Sequence, residues 1–264
     1  NVILDRLGAK FGDFTSPRFR ALAGSIIYDE DDVDQVDNAA DYEDPTGVPV
    51  WANWDIFMDD TERFEAYGDD YIAGGGDDDT IFGQLGDDVI QGDGSIASKL
   101  AGTPAPVDAY RKPDGTLTVA PSFESTTDGD DYIEGNGGAD VIFGNLGQDD
   151  ILGGSSDLFS LTTPELRPDD SDLLFGGAGT DIARNDIGQA EIVDGVVTAD
   201  STGHARDADM ILGDNGDIFR LVGTDGIDAG DYLEFQYDDY DPALKIVPRA
   251  ARLVDYTIGG LDYV

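Results

Sequence analysis

Several residue types that support common protein chemistry are absent or scarce in this sequence. It has no cysteine, and its only histidine is His204. The lack of cysteine excludes disulfides and thiolate metal sites. Lysine and arginine number 15 against 57 acidic residues, which gives a net charge of -42 over 264 residues. Because phosphate backbones are bound by clustered lysine and arginine, this balance argues against a nucleic-acid partner, and it disfavours anionic membrane surfaces as well.

The motifs of common hydrolases are also missing. A zincin helix needs HExxH and a nucleophile elbow needs GxSxG, and the chain contains neither. His204 stands in the polar stretch STGHARDAD, which favours an exposed loop residue over a catalytic base. Carboxylate-pair hydrolysis needs only acids, but the acids here follow a regular spacing that has a simpler explanation. We therefore predict no catalytic residue and no enzyme.

Long hydrophobic runs are missing too. No apolar stretch approaches the roughly 20 residues that span a bilayer, so we predict no membrane insertion. The sequence opens at Asn1 without a methionine or a signal-peptide pattern, which predicts a window from a longer protein. With 40% hydrophobic residues, the chain nevertheless holds enough apolar material for a core.

What the sequence does have is a nine-residue repeat rich in glycine and aspartate. Its clearest units are GGGDDDTIF (74–82), GQLGDDVIQ (83–91), GNGGADVIF (135–143), GNLGQDDIL (144–152) and GGAGTDIAR (176–184). Interruptions lie near 95–127, 156–168 and 185–206. The first and third contain the turn patterns AYRKPDGTLTV and EIVDGVVT, which predict β-hairpins, with irregular loops as the alternative. The chain then divides into residues 66–220, which carry the repeat, and two flanks.

The flanks, residues 1–65 and 221–264, carry no such repeat. The first is predicted to pack on or cap the repeat region. It contains an acidic run at 28–44, predicted to be a solvated or low-affinity cation-binding loop, and the aromatic segment WANWDIF at 51–57. RFRALAG at 18–24 is the only stretch that favours a helix. The second flank reads as strands around a turn at Asp241-Pro242.

Each unit ends in a three-residue strand, which is too short to be stable alone, so successive units must stack. With two units per turn, units n and n+2 lie side by side in one parallel sheet, about 4.8 Å apart. The eighth position then points inward and forms a thin core between two sheets. The predicted inward residues are Ile72, Ile81, Ile90, Ile133, Ile142, Ile151, Leu174 and Ile211.

The sixth position supplies ligands for a cation that would offset the negative charge of the chain. It is occupied by Asp70, Asp79, Asp88, Asp131, Asp140, Asp149, Asp172, Asp181 and Asp209. Stacking places each aspartate beside its counterpart two units away. Two carboxylates and nearby glycine carbonyls form an oxygen cage that suits Ca²⁺ better than Mg²⁺. The glycines of the predicted sites are Gly74, Gly83, Gly135, Gly144 and Gly176.

The stacking order predicts which aspartates share an ion, up to about seven ions in all. The predicted pairs are Asp70 with Asp88, Asp79 with Asp131, Asp88 with Asp140, Asp131 with Asp149, Asp140 with Asp172, Asp149 with Asp181, and Asp172 with Asp209. The unit GDNGDIFR places Ile218 at the carboxylate position, which predicts that the repeat ends there.

These units match the pattern GGxGxDxUx and resemble the RTX (repeat-in-toxin) family of hemolysin-type calcium-binding proteins. The resemblance extends from about Phe64 to Arg220, interruptions included. It implies an all-β fold built around a right-handed parallel β-roll of two sheets, here with hairpin insertions and β-rich flanks. It also implies a row of bound Ca²⁺, type I secretion, and an extracellular or cell-surface location.

The same register predicts a contact face. The outward ninth position reads Phe143, Phe175 and Leu212 on strands expected to be adjacent in one sheet. Such an apolar row favours an interface, either with a segment of the same chain or with another subunit or domain. The other sheet shows Glu134, Leu152 and Arg184 there, a pattern typical of a solvent face.

Two functions fit these predictions. The first is a calcium-binding structural segment of a large secreted or surface protein, of adhesin, surface-layer or matrix type. The alternative is a calcium-triggered folding and export module of a secreted enzyme or toxin whose active domain lies elsewhere. The hairpin interruptions favour the first, because an export module does not need them.

Overall fold

The computed structural model describes residues 58, 68–101, 106–159, 161–180, 207–220, 234 and 245–255, and the backbone of short strands at 3–4, 11–12, 190–193 and 196–199. Several predictions fall outside these residues. They concern the helix at 18–24, the acidic run at 28–44, the segment 51–57, the turn at Asp241-Pro242, Asp181, Arg184 and His204.

The described residues are rich in strands and contain almost no helix, as the predicted all-β class requires. The helices are α1 (Ala97–Ala101) and a 3-10 turn at Pro164–Leu166. The strands are β1 (Ile3–Leu4), β2 (Phe11–Gly12), β3 (Tyr71–Ala73), β4 (Thr80–Leu85), β5 (Val89–Gln91), β6 (Asp108–Arg111), β7 (Leu117–Ala120), β8 (Tyr132–Gly137), β9 (Val141–Phe143), β10 (Asp150–Leu152), β11 (Leu173–Phe175), β12 (Ala190–Val193), β13 (Val196–Ala199), β14 (Met210–Leu212), β15 (Gly216–Arg220) and β16 (Arg249–Leu253).

Eight strands form two parallel sheets to which consecutive repeat units contribute in turn. Sheet I has the order β11-β9-β5-β3, and sheet II has the order β14-β10-β8-β4. Each strand is therefore hydrogen-bonded to the strand two units away, as two units per turn predicts. The pairing is in register, so that Ile90 lies beside Ile142 in sheet I and Ile133 lies beside Ile151 in sheet II.

The inward residues of both sheets pack into one cluster. Ile81, Ile90, Ile133, Ile142 and Ile151 are buried, and Ile72 and Leu174 pack against them. Each fully buried isoleucine contributes roughly 1.5–3 kcal/mol. Ile211 departs from the prediction, because it is 39% exposed. Its strand, β14, is the last of the described repeat strands and is packed from one side.

The first interruption folds over the outer face of sheet I. Its strands β6 and β7 form the predicted antiparallel hairpin, and β12 and β13 form the second one. Val107, Ala109 and Val119 pack with Phe143 and Phe175. Phe143 is fully buried, and its ring stacks on Phe175 with centroids 4.7 Å apart. The apolar row of sheet I thus lies beneath the protein's own hairpin.

The outer face of sheet II differs from the prediction in two ways. Leu212 was expected beside Phe175, but β14 belongs to sheet II, where Leu212 pairs with Leu152. The expected solvent face is a covered one, since Leu152 packs with Leu158, Phe159, Ile218 and Phe219. These residues come from the second interruption and from β15, whose positions the nine-residue register does not encode.

A buried carboxylate stands in the same row. Glu134 is fully buried and accepts hydrogen bonds from the Tyr132 hydroxyl, from Asn136 Nδ2 (2.9 Å) and from the Ser156 backbone N–H (3.2 Å). Buried acids persist where donors satisfy them. Beyond β14 the parallel pairing stops, because β15 pairs antiparallel with β16.

Candidate metal sites

The sixth-position aspartates of each sheet are joined into a ladder by hydrogen bonds. In every pair, Oδ1 of the later aspartate accepts the backbone N–H of the aspartate two units before it. In sheet I the pairs are Asp70–Asp88 (2.7 Å), Asp88–Asp140 (2.8 Å) and Asp140–Asp172 (2.8 Å). In sheet II they are Asp79–Asp131 (2.8 Å), Asp131–Asp149 (2.8 Å) and Asp149–Asp209 (3.1 Å). The structure thus brings together five of the seven predicted pairs.

The predicted pair Asp172 with Asp209 is wrong, and the other predicted pair, Asp149 with Asp181, includes a residue outside the described part of the chain. Asp209 takes the place beside Asp149, because β14 pairs with β10. The unit that opens at Gly176 therefore closes at Asp209, and the third interruption lies inside this unit. The first two interruptions have the same position, between Gly92 and Asp131 and between Gly153 and Asp172. The sequence GTD at 179–181 matches the pattern that ends a unit, which is why the prediction placed the closing aspartate of this unit at Asp181.

The second carboxylate oxygen of these aspartates has no hydrogen-bond donor. Oδ2 is buried and without a hydrogen-bond partner in Asp79, Asp88, Asp131, Asp140, Asp149 and Asp172. Buried polar atoms in folded proteins are nearly always paired. Six unpaired oxygens at the same position of a repeat therefore indicate a missing partner.

A glycine clears the space next to each of these oxygens. A Cβ atom on the first glycine of a unit would lie within 3.0 Å of Oδ2 of that unit's aspartate and of a glycine carbonyl oxygen two units later. The glycines and their carbonyl partners are Gly74 with Gly92, Gly83 with Gly135, Gly92 with Gly144, Gly135 with Gly153, Gly144 with Gly176, and Gly153 with Gly213. No side chain fits there, and two acceptor oxygens converge with no hydrogen between them.

The predicted glycines have two roles. All five clear the space beside an aspartate oxygen, and Gly135, Gly144 and Gly176 also supply converging carbonyl oxygens. Sequence reasoning missed the remaining members, Gly92, Gly153 and Gly213. Each is the first glycine of a unit that an interruption or the end of the repeat disturbs. The signal that could have identified them is a glycine four residues after the previous unit's aspartate, namely Asp88, Asp149 and Asp209.

Burial raises the pKa of the ladder carboxyls. In sheet I it raises the pKa of Asp88 and Asp172 to about 6 and that of Asp140 to about 7, and neighbouring acids add to the effect. In sheet II, burial raises the pKa of Asp131 to about 9 and that of Asp149 well above its ordinary value. The hydrogen bonds from the backbone act in the opposite direction but are weaker. Charging these groups thus requires a counter-charge.

The oxygen sets fit a hard divalent cation. Ca²⁺ takes 6–8 oxygen ligands from carboxylates, backbone carbonyls and water, and each ladder position offers the first two kinds. Among the described residues no three carboxylate or histidine side chains form a metal cluster by themselves. Backbone oxygens therefore have to be part of any site.

The fifth-position acids form an outer row that sequence reasoning overlooked. Oδ1 of Asp69 accepts the backbone N–H of Asp87 (3.1 Å), and Oδ1 of Asp78 accepts that of Asp130 (2.8 Å). These bonds run in the opposite direction to those of the ladder. The acids are exposed or half-buried, and all of them stand in the first half of the repeat.

Two arginines from strands beyond the last parallel strand, Arg220 of β15 and Arg249 of β16, contact the end of the sheet II ladder. Nε of Arg220 and Nε of Arg249 bind the two oxygens of the buried Asp150 at 2.9 and 3.0 Å. Arg249 also donates to the carbonyl of Ala208 (2.9 Å), and both arginines donate to that of Gln148. Gln148 and Ala208 immediately precede two ladder aspartates. No pattern in the repeat predicts this arginine clamp.

Comparison with known families gives one match. The model described as the RTX calcium-binding nonapeptide repeat (4 copies) matches residues 66–95 and 125–157. The two segments lie on either side of the first interruption. This family is a structural calcium-binding domain, and its proteins are typically secreted. No curated protein and no solved structure matches the chain. No helix in the described residues is long and apolar enough to cross a membrane.

Proposed function

This chain carries RTX-type calcium-binding repeats, and we propose that it is a calcium-binding structural segment of a large secreted or cell-surface protein, of adhesin, surface-layer or matrix type. Sheets I and II are the two walls of a right-handed parallel β-roll. Residues 66–220 form this roll with its insertions, and residues 1–65 and 221–264 flank it.

The observation that carries the proposal is the set of buried Oδ2 atoms without donors. An ionised carboxylate in such a position costs several kcal/mol unless a counter-charge is present. At Asp140 the charged groups that act on the carboxylate are other aspartates, and the oxygen across the cleared space is a glycine carbonyl, so neither offsets the cost. A cation between Oδ2 and the glycine carbonyl oxygen would offset this repulsion, and the same arrangement recurs at each of the six positions.

We assign one Ca²⁺ to each of the six hydrogen-bonded aspartate pairs. Each ion would be held by two carboxylates and by carbonyls of the glycine turns. The carbonyl oxygens that would bind the ions belong to Gly92, Gly135, Gly144, Gly153, Gly176 and Gly213. Mg²⁺ is the weaker candidate, because it demands near-ideal octahedral geometry and retains its waters.

Calcium binding then becomes folding free energy, because the ladder does not exist in the unfolded chain. Extracellular calcium modules bind at about 10⁻⁴–10⁻³ M, well above cytosolic calcium. The segment would stay unfolded inside the cell and fold after export. The lack of cysteine agrees with this route, because no disulfide has to form.

Circular dichroism tests the proposal directly. The spectrum should change from unfolded to β-rich when an excess of Ca²⁺ replaces EGTA, and equimolar Mg²⁺ should be far less effective. A β-spectrum that EGTA leaves unchanged would overturn the proposal.

The covering of both outer faces supports a structural role over a simple export module. The hairpin β6–β7 buries Phe143, and the second insertion with β15 buries Leu152. These segments thus add two hydrophobic clusters outside the core that lies between the sheets. The reading frame on either side of the segment tests this choice, since an adjoining enzyme or toxin domain would favour the export module.

A further inference from the structure

Residues 92–93 and 128–129, where the chain leaves the repeat and re-enters it, form the neck of the first insertion. The neck contains a buried acid, Asp93, that is not one of the ladder aspartates. Asp93 follows Gly92 at the second position of its unit. Other units carry glycine or an amide there, namely Gly75, Gln84, Asn136, Asn145, Gly154 and Gly177. Asp93 is 0% exposed. The unit that opens at Gly213 also carries an aspartate there, Asp214, but that residue is exposed, so among the described units the buried aspartate at this position is Asp93.

The carboxylate of Asp93 is poorly satisfied. Oδ1 accepts one long hydrogen bond, from the Gly129 backbone N–H at 3.3 Å. Oδ2 is buried and has no hydrogen-bond partner. A protonated Oδ2 would need an acceptor within about 3 Å, and an ionised one would need a donor or a cation. Neither protonation state is satisfied by the residues around it.

The charged groups that act on Asp93 are all acidic. Burial disfavours a charge on Asp93, and Asp128, Asp79 and Asp78 repel it. Asp128 is the strongest of the three and directly precedes the residue that donates to Asp93. Asp128 itself is fixed in place, because its Oδ2 accepts the Ser125 backbone N–H at 2.8 Å. The backbone thus ties Asp93 to Gly129, the residue that follows Asp128, at the point where the chain re-enters the repeat.

We propose that Asp93 and Asp128 bind one further Ca²⁺ at the neck of the first insertion, in addition to the ions of the ladder. Carboxylate, backbone and water oxygens are the ligands that this ion prefers. The proposal rests on the proposed function, because the neck forms only where the repeats on both sides fold. The ion joins the points where the chain leaves the repeat and re-enters it.

The consequence is a clip that closes the insertion. Asp93 and Asp128 bracket the hairpin β6–β7, whose residues cover Phe143 and Phe175. Cross-linking the ends of a long segment removes conformational entropy from the open state. Calcium at the neck would therefore hold the cover on sheet I, in addition to the ions that hold the sheets together.

Calcium stoichiometry tests this site with calcium itself as the probe. Bound ions are counted by equilibrium dialysis at saturating calcium in the wild type, in Asp93→Asn and in Asp114→Asn. The last is a matched control, since Asp114 is an exposed acid in the turn of the same hairpin. We expect Asp93→Asn to bind one ion fewer with an unchanged β-spectrum, and the control to bind as many ions as the wild type.

A second variant covers the case in which Asp93→Asn does not fold. Asp128 is half-buried, so Asp128→Asn should be tolerated, and it should also bind one ion fewer. Trypsin should then cleave after Lys99 more rapidly than in the wild type. If a folded Asp93→Asn or Asp128→Asn binds the full number of ions, the neck site is overturned while the ladder stands. If the wild type binds no calcium, the proposed function is overturned as well.

Discussion

The two aspartate ladders are built from the same unit but end in different surroundings. The sheet I ladder ends at Asp172, whose carboxyl is repelled by Asp214 and Asp170. The sheet II ladder ends at Asp209, where burial and Asp207 raise the pKa to about 8, while Arg249 favours the charged carboxylate and the arginine clamp holds the neighbouring Asp150. Both ladders thus end near acids, but the sheet II ladder also ends beside two arginines of the protein.

This difference indicates that the fold has two sources of positive charge to set against its aspartates, namely calcium ions and its own arginines. Calcium is the natural counter-charge wherever the repeat is regular, because only a small ion fits beside the first glycine. Where the repeat ends, there is space for longer side chains, and arginines from β15 and β16 enter. Sheet I should therefore depend on calcium along its whole length, whereas the C-terminal end of sheet II is anchored in part without it.

The largest expected effect is that of pH on the calcium-free protein. The ladder pKa values are raised in the folded state, so the folded state binds protons more tightly than the unfolded state does. The stability from this source is fully present below pH 4 and is lost as pH rises, through about 6 to 7 in sheet I and up to about 9 at Asp131. In EGTA, the β-spectrum should appear on acidification to about pH 4.5 and disappear at pH 8.

Calcium should reverse the sign of this pH dependence. The ion binds the ionised carboxylates, so protons compete with it, and the calcium concentration at the folding midpoint should rise as pH falls. Titrations followed by circular dichroism at pH 5.5 and 8 measure this. A calcium midpoint that is independent of pH would contradict carboxylate ligands.

The next effect concerns the arginine clamp. Asp150→Ala leaves Arg249 buried without its ion pair and leaves Arg220 with its 3.3 Å ion pair to Asp130, and breaking a buried pair in this way costs about 3–5 kcal/mol. Chemical denaturation in saturating calcium should show this loss of unfolding free energy. Glu234→Ala is the control, because it removes the exposed ion pair with Lys245 and should cost only about 0–1 kcal/mol. Equal effects would mean that the clamp does not anchor sheet II.

A smaller effect separates the middle of a ladder from its end. The Asp140 carboxylate accepts the Asp88 backbone N–H, whereas Asp70 contributes only its own backbone N–H to the ladder, which alanine keeps. The lost hydrogen bond to a charged group is worth about 1.5–3 kcal/mol, and Asp140→Ala also removes a calcium ligand from two proposed sites, those shared with Asp88 and Asp172, against one site for Asp70→Ala. Asp140→Ala should therefore raise the calcium midpoint for folding more than Asp70→Ala. An equal or larger effect at Asp70 would contradict the stacking order.

The regular parts of this fold and of its candidate sites could be predicted from the sequence, because a nine-residue period fixes both register and facing. Ile90, Ile142 and the pair Asp88–Asp140 follow from counting alone. Counting failed where the chain leaves the repeat. The motif at Asp181 satisfied the pattern, but only the sheet pairing shows that Asp209 closes that unit.

The covers of the sheets and the arginine clamp were beyond prediction for a different reason. Their contacts depend on where non-repeating segments dock, and docking follows shape and charge rather than period. Phe143 could be recognised as an outward apolar residue, yet nothing in its unit names Val107 or Ala109 as its partners. Arg220 and Asp150 are 70 residues apart, and no local pattern joins them.

The smallest effect concerns the hairpin cover of sheet I. Phe175 is partly buried and stacks on Phe143 at an interplanar angle of 7°. Phe175→Leu keeps the residue apolar but removes the stacking, so it should lower the free energy of unfolding by about 0.5–1.5 kcal/mol. Denaturation in saturating calcium measures this, and Tyr110→Leu, at a 51% exposed position of the same hairpin, is the matched control. The calcium midpoint at the ladder should shift only as far as overall stability does. If Phe175→Leu costs no more than Tyr110→Leu, the stacked pair does not hold the hairpin on sheet I.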